Sequence, residues 1–76
     1  MSDRLPVVSG RQMIRILERL GYTISRQRGS HVRLRHADSR RHLPTTVPLH
    51  RELTRGTLLS VLSDAGLTVD QLRTRL

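Results

Sequence analysis

Apolar residues recur at helical period near the start of the chain: Met13, Ile14, Ile16, Leu17 and Leu20 form one stripe, while Arg11, Arg15 and Arg19 repeat at i, i+4 on the other side. Ser9 and Gln12 have capping-box spacing, Val8 and Met13 have the spacing of a hydrophobic staple, and Gly21 is placed to end the run in a left-handed conformation. The pattern predicts a helix over about 10–20. The period then drops to two, predicting strands at Tyr22–Arg28 and His31–His36 joined by the two-residue loop Gly29-Ser30. A turn at Ala37-Asp38-Ser39-Arg40 leads to a third strand ending near Leu49. There Leu43, Val47 and Leu49 share a parity and are expected to face inward. Pro44 and Pro48 cannot donate to a ladder, so this segment is expected at an edge or paired over only part of its length. Strict alternation places Tyr22 and Ile24 on the face of Arg26 and Arg28; a bulge near Ser25 would return both to the core. Helical period resumes after Thr54 with Leu58, Leu59, Val61, Leu62 and Ala65, up to a stop at Gly66. Thr68 and Gln71, bracketed by Leu67 and Leu72, predict a short last helix to about Arg75.

The order helix, three strands, helix, with a short extra C-terminal helix, predicts a two-layer α+β domain, both main helices lying on one face of an antiparallel sheet. The 76 residues suit one domain, expected over 1–76. A chain of this size buries only about 60% of its unfolded surface, so its stability is marginal or shared with a partner. There is no cysteine, hence no disulfide framework or thiolate metal site. No apolar run approaches a membrane span, and Met1-Ser2-Asp3-Arg4-Leu5-Pro6 lacks the apolar core of a signal peptide, which makes a cytoplasmic location the expectation.

Fourteen basic residues oppose six acidic ones, giving a formal charge of +8, and every basic residue is arginine. A genome rich in G and C accounts for arginine in place of lysine; it does not account for the net excess, which points to a polyanionic or acidic partner. Guanidinium forks suit phosphate oxygens, and the single aromatic, Tyr22, argues against a platform that stacks single-stranded bases. Backbone and shape contacts with weak sequence selectivity are therefore expected. The arginine stripe of the first helix reads first as a solvated face.

The Gly29-Ser30 loop makes Arg28 and His31 cross-strand partners and pairs Arg26 with Arg33 on the same face, which Arg35 extends. A histidine can take or give a proton near neutral pH, and here it sits among groups that attract phosphate, a combination that suggests RNA cleavage. Such a reaction needs the ribose 2′-hydroxyl deprotonated, charge on phosphorus stabilised and the 5′-oxygen protonated. His31 suits the first task. Arg26, Arg28, Arg33 and Arg35, with the backbone amides of Gly29 and Ser30, suit the second. His50 is a candidate acid only if the third strand carries it to the same rim. His36 and His42 are expected to lie solvated around a turn, and no His/Asp/Glu cluster has metal-site spacing, so neither metal nor cofactor is expected. Ser30 adjoins His31 with no carboxylate to orient the ring, which leaves a Ser-His-Asp triad unsupported. A non-catalytic RNA- or DNA-binding module using the same arginine-rich face is the alternative reading.

The chain also resembles a known family. Val8-Ser9-Gly10, Leu20-Gly21-Tyr22, Arg26-Gln27-Arg28-Gly29-Ser30-His31, Val47-Pro48-Leu49-His50, Gly56-Thr57-Leu58 and Ala65-Gly66-Leu67, in this order, are similar to HicA-type toxins. These are the small ribonucleases of bacterial toxin–antitoxin pairs, with a fold like that of a double-stranded-RNA-binding domain. The resemblance implies a catalytic role for His31, metal-free cleavage of messenger RNA, and a cognate HicB-type antitoxin that covers the active face. Val32 stands where many relatives carry a second histidine, so that neighbour's role is not transferred.

Overall fold

A computed structural model describes residues 4–76; Met1–Asp3, part of the polar start considered above, lie outside the described residues. The elements run α1 (Gly10–Arg19), β1 (Thr23–Arg28), β2 (His31–Arg35), β3 (Thr45–Pro48), α2 (Arg55–Ala65) and α3 (Val69–Arg75). The strands form one antiparallel sheet in the order β1-β2-β3, giving the α+β helix–sheet–helix arrangement that the pattern predicts.

Local chemistry sets the element boundaries. Ser9 accepts from the Gln12 backbone N–H at 3.1 Å while the Gln12 side chain accepts from the Ser9 N–H at 2.9 Å, closing the capping box of α1. Thr68 and Gln71 do the same for α3, and Thr54 caps α2, whose end is marked by left-handed Gly66. Each cap satisfies amide donors that the first helical turn leaves without partners.

Met13, Ile14, Ile16 and Leu17 of α1 and Leu58, Val61, Leu62 and Ala65 of α2 are buried against one face of the sheet, which offers Val32, Leu34 and Val47; Leu72 of α3 completes the core. The N-terminus of α1 is held against the end of β3, where Gly10 N–H donates to the His50 carbonyl at 2.9 Å. A Cβ at position 10 would lie 2.0 Å from the Pro48 carbonyl oxygen, so this close approach requires glycine.

The β1–β2 register shifts between Ile24 and Arg26, which is the bulge expected near Ser25. It returns Tyr22 to the core at 2% exposure, whereas Ile24, paired with Leu34 on the helix side, stays 49% exposed because β1 is an edge strand.

Two expectations are corrected. Leu43 does not face inward: the β2–β3 ladder begins at Thr45, Pro44 intervenes, and Leu43 is held outside the core by its backbone. Its N–H donates to the Asp64 carbonyl at 2.8 Å, and its carbonyl accepts from the Tyr22 hydroxyl at 2.7 Å. Nor do His36 and His42 stand free in solvent. His36 Nε2 pairs with the Leu20 carbonyl at 2.8 Å, its Nδ1 accepts from the Asp38 N–H at 2.9 Å, and His42 Nδ1 pairs with the Ala65 carbonyl at 2.7 Å. The two rings lie 4.3 Å apart and both meet the Tyr22 ring edge-on, so the β2–β3 connection is fastened to the ends of both helices.

Candidate nucleic-acid interface and active site

With the helices on one side of the sheet, the other side is left bare. The two-residue loop between β1 and β2 needs a positive φ only at its first position, where Gly29 has φ 58°. The register that follows pairs Arg28 with His31 and Arg26 with Arg33, while Arg35 lies opposite Thr23. Alternation along β2 places His31, Arg33 and Arg35 together on the outer face, and the four arginines and the histidine are all exposed.

The hairpin is fixed from several directions. Leu49 N–H donates to the Ser30 carbonyl at 2.7 Å, Gln27 Nε2 to the Gly29 carbonyl at 3.1 Å, and Ser25 Oγ to the Arg33 carbonyl at 3.2 Å. Arg33 Nη1 donates to Thr46 Oγ1 at 2.9 Å, which aims the guanidinium across β3 and leaves its remaining donors for a ligand. Like charges directly opposite on a sheet are destabilising, so the Arg26–Arg33 pair is a cost that a bound anion would relieve. Among the described residues no carboxylate lies within ion-pair distance of either arginine; the ion pair on α3, Arg73 with Asp70 at 2.8 Å, is elsewhere.

His31 opens onto a groove of about 480 Å³ between β2–β3 and α2, bordered by Arg33, Thr46, Pro48, Thr57, Ser60 and Asp64. The sequence reading missed the α2 side of this groove. Its signal is a polar stripe, Thr57, Ser60 and Asp64 at helical spacing, running beside the apolar stripe of α2.

The structure thus places Arg28 beside His31 at the Gly29-Ser30 loop, with Arg26 and Arg33 one pair further on and Arg35 at the far end of β2. It does not bring His50 into this groove. His50 follows the end of β3, where its carbonyl accepts from Gly10, and its ring is exposed. Among the described residues, no group of three or more His, Cys, Asp or Glu is arranged to hold a metal ion, and no helix is long and apolar enough to cross a membrane.

Burial, with the Asp64 carboxylate adding to it, raises the Tyr22 phenol above its ordinary value, so the hydroxyl is retained as the donor to Leu43. Tyr22 fastens the β2–β3 connection on the helix side of the sheet, and Asp64, which acts on it, also lines the far end of the groove.

Comparison with known proteins agrees with this architecture. No curated protein matches the chain. A family model described as the HicA toxin of bacterial toxin–antitoxin systems matches residues 10–67, a span from the first residue of α1 through the sheet and α2 to Leu67. More than half of the chain is covered, and membership implies an antitoxin partner: the chain belongs to the HicA toxin family, the toxin component of a toxin–antitoxin system.

Proposed function

We propose that this toxin is a metal-independent endoribonuclease that cleaves messenger RNA with His31 as its single essential histidine, and that a HicB-type antitoxin restrains it by covering the arginine-rich face. The observation that carries this reading is the exposed His31 imidazole beside Arg28 and Arg33 on the bare side of the sheet.

His31 accepts the proton of a ribose 2′-hydroxyl as that oxygen attacks the adjacent phosphorus. The P–O5′ bond breaks, leaving a 2′,3′-cyclic phosphate on one fragment and a 5′-hydroxyl on the other. Charge that builds on the phosphoryl oxygens is met by Arg26, Arg28, Arg33 and Arg35 and by the backbone amides of Gly29 and Ser30. The 5′-oxygen takes its proton from solvent, since the His50 ring is not in the groove, and turnover is accordingly slow.

The test is cleavage of a labelled messenger RNA by the purified chain in EDTA. The native protein cuts and leaves cyclic phosphate ends. His31→Ala lowers the rate by about a hundred- to ten-thousand-fold, the span of a lost general base, while RNA binding stays within a few-fold of native. Undiminished cutting by the alanine variant removes His31 from the chemistry. RNA recovered intact from the native protein, bound at low salt and released at high salt, favours the non-catalytic module instead.

A further inference from the structure

The α2 side of the groove has no role in the chemistry above, yet its composition is unusual for a chain of charge +8. Opposite Arg33 and His31 stand two hydroxyls, Thr57 and Ser60, and the carboxylate of Asp64. Beneath them Thr45, only 1% exposed, carries a hydroxyl with no hydrogen-bond partner, although buried polar groups are almost always paired. A site for phosphate alone would gain nothing from an acidic wall. The groove instead has a cationic end at Arg33, beside His31, an apolar floor at Pro48 and Val61, and a far wall that accepts hydrogen bonds.

We propose that this groove holds a guanine base, that of the nucleotide on the 5′ side of the bond to be cut, with Asp64 reading its Watson–Crick edge. The proposal rests on the endoribonuclease reading for the placement of the phosphate. The ribose whose 2′-hydroxyl meets His31 carries its own base, and His31 itself lines the groove of about 480 Å³. An ionised carboxylate only accepts, through two oxygens. Guanine alone among the RNA bases presents two adjacent donors, N1–H and the 2-amino group, on its Watson–Crick edge, the edge that single-stranded RNA leaves open. Uracil offers one donor there, flanked by carbonyl oxygens that the carboxylate repels. Thr57 and Ser60 donate to the guanine O6 and N7 side. The scarcity of aromatics, which points to weak selectivity in the sequence, limits stacking; it does not limit edge recognition by these groups.

Mononucleotides test this without any cleavage. Titrating the full chain with guanosine 3′-monophosphate is expected to move the amide resonances of Thr46, Thr57 and Ser60, with binding at least tenfold tighter than that of uridine 3′-monophosphate. Asp64→Asn removes that preference and Ser60→Ala, a change at an exposed helical position, reduces it several-fold, while His31→Ala retains it. Equal affinity for the two 3′-nucleotides, or a preference that survives both the Asp64 and Ser60 substitutions, overturns the proposal. Tighter binding of guanosine 5′-monophosphate than of its 3′ isomer overturns the assignment to RNA, since a free nucleotide is then the better ligand. Failure of the native chain to cut RNA is read in the separate cleavage assay, and a guanine preference measured here would stand despite it.

Discussion

Two glycines at the starts of helices show how one residue type answers to opposite demands. Gly10 opens α1 with the Pro48 carbonyl oxygen 2.0 Å and the Leu49 Cα 3.0 Å from where a Cβ would be, and both are backbone atoms that cannot swing aside. Gly56, near the start of α2, has nothing within 4 Å of the same point. Helix propensity alone favours alanine at either site by up to about 1 kcal/mol. Denaturant unfolding is expected to separate them: Gly10→Ala loses about 2 kcal/mol because β3 or α1 must shift, whereas Gly56→Ala gains several tenths or more. Equal effects would show that α1 does not depend on its approach to β3. Nothing local in the sequence marks this demand on Gly10, because the atom it must avoid is 38 residues away, at Pro48. The placement of His31 is easier to read. A two-residue loop and a period of two suffice to pair His31 with Arg28, and both are local properties.

At the scale of elements, every helix and strand is legible from periodicity and capping, down to the bulge at Ser25, because each rests on neighbours within a few positions. The β2–β3 connection is not, because its order comes from bonds that span the chain. His42 reaches Ala65, Tyr22 reaches Leu43, and His36 reaches Leu20. The hydroxyl wall of the candidate site was hidden for the same kind of reason, since the polar stripe of α2 becomes part of the groove only through the way that helix lies along β3. The connection also sets an alkaline limit. The Tyr22 phenol is raised above its ordinary value of about 10 in the folded chain, so between the unfolded and folded values the native state binds the extra proton. Its contribution is complete below about pH 10 and is lost as pH rises through the folded value. Tyr22→Phe is expected to cost about 1 kcal/mol at neutral pH, the worth of the bond to Leu43, and to flatten the fall in stability on the alkaline side. A native-like alkaline slope in the variant would assign that fall to other groups.

At the scale of the molecule, fourteen arginines face six carboxylates, so a net +8 is left for an external polyanion. Two arginine surfaces compete for that role, the stripe Arg11, Arg15, Arg19 on α1 and the outer face of the β1–β2 hairpin. Salt dependence distinguishes them. Measured on the His31→Ala chain, each arginine that contacts a phosphate of single-stranded RNA contributes about 0.7 to the slope of log affinity against log salt. Replacing Arg26 and Arg33 with glutamine should lower that slope by about 1.4, while replacing Arg11 and Arg15 should leave it unchanged. The reverse result would move the RNA to the helix side. The positions of His31, Arg26, Arg28, Arg33 and Arg35 are set by strand pairing within the sheet itself. On the proposed reading an antitoxin therefore has nothing to dismantle; it need only sit in the way, and its departure would leave the face as it was, with no refolding delay.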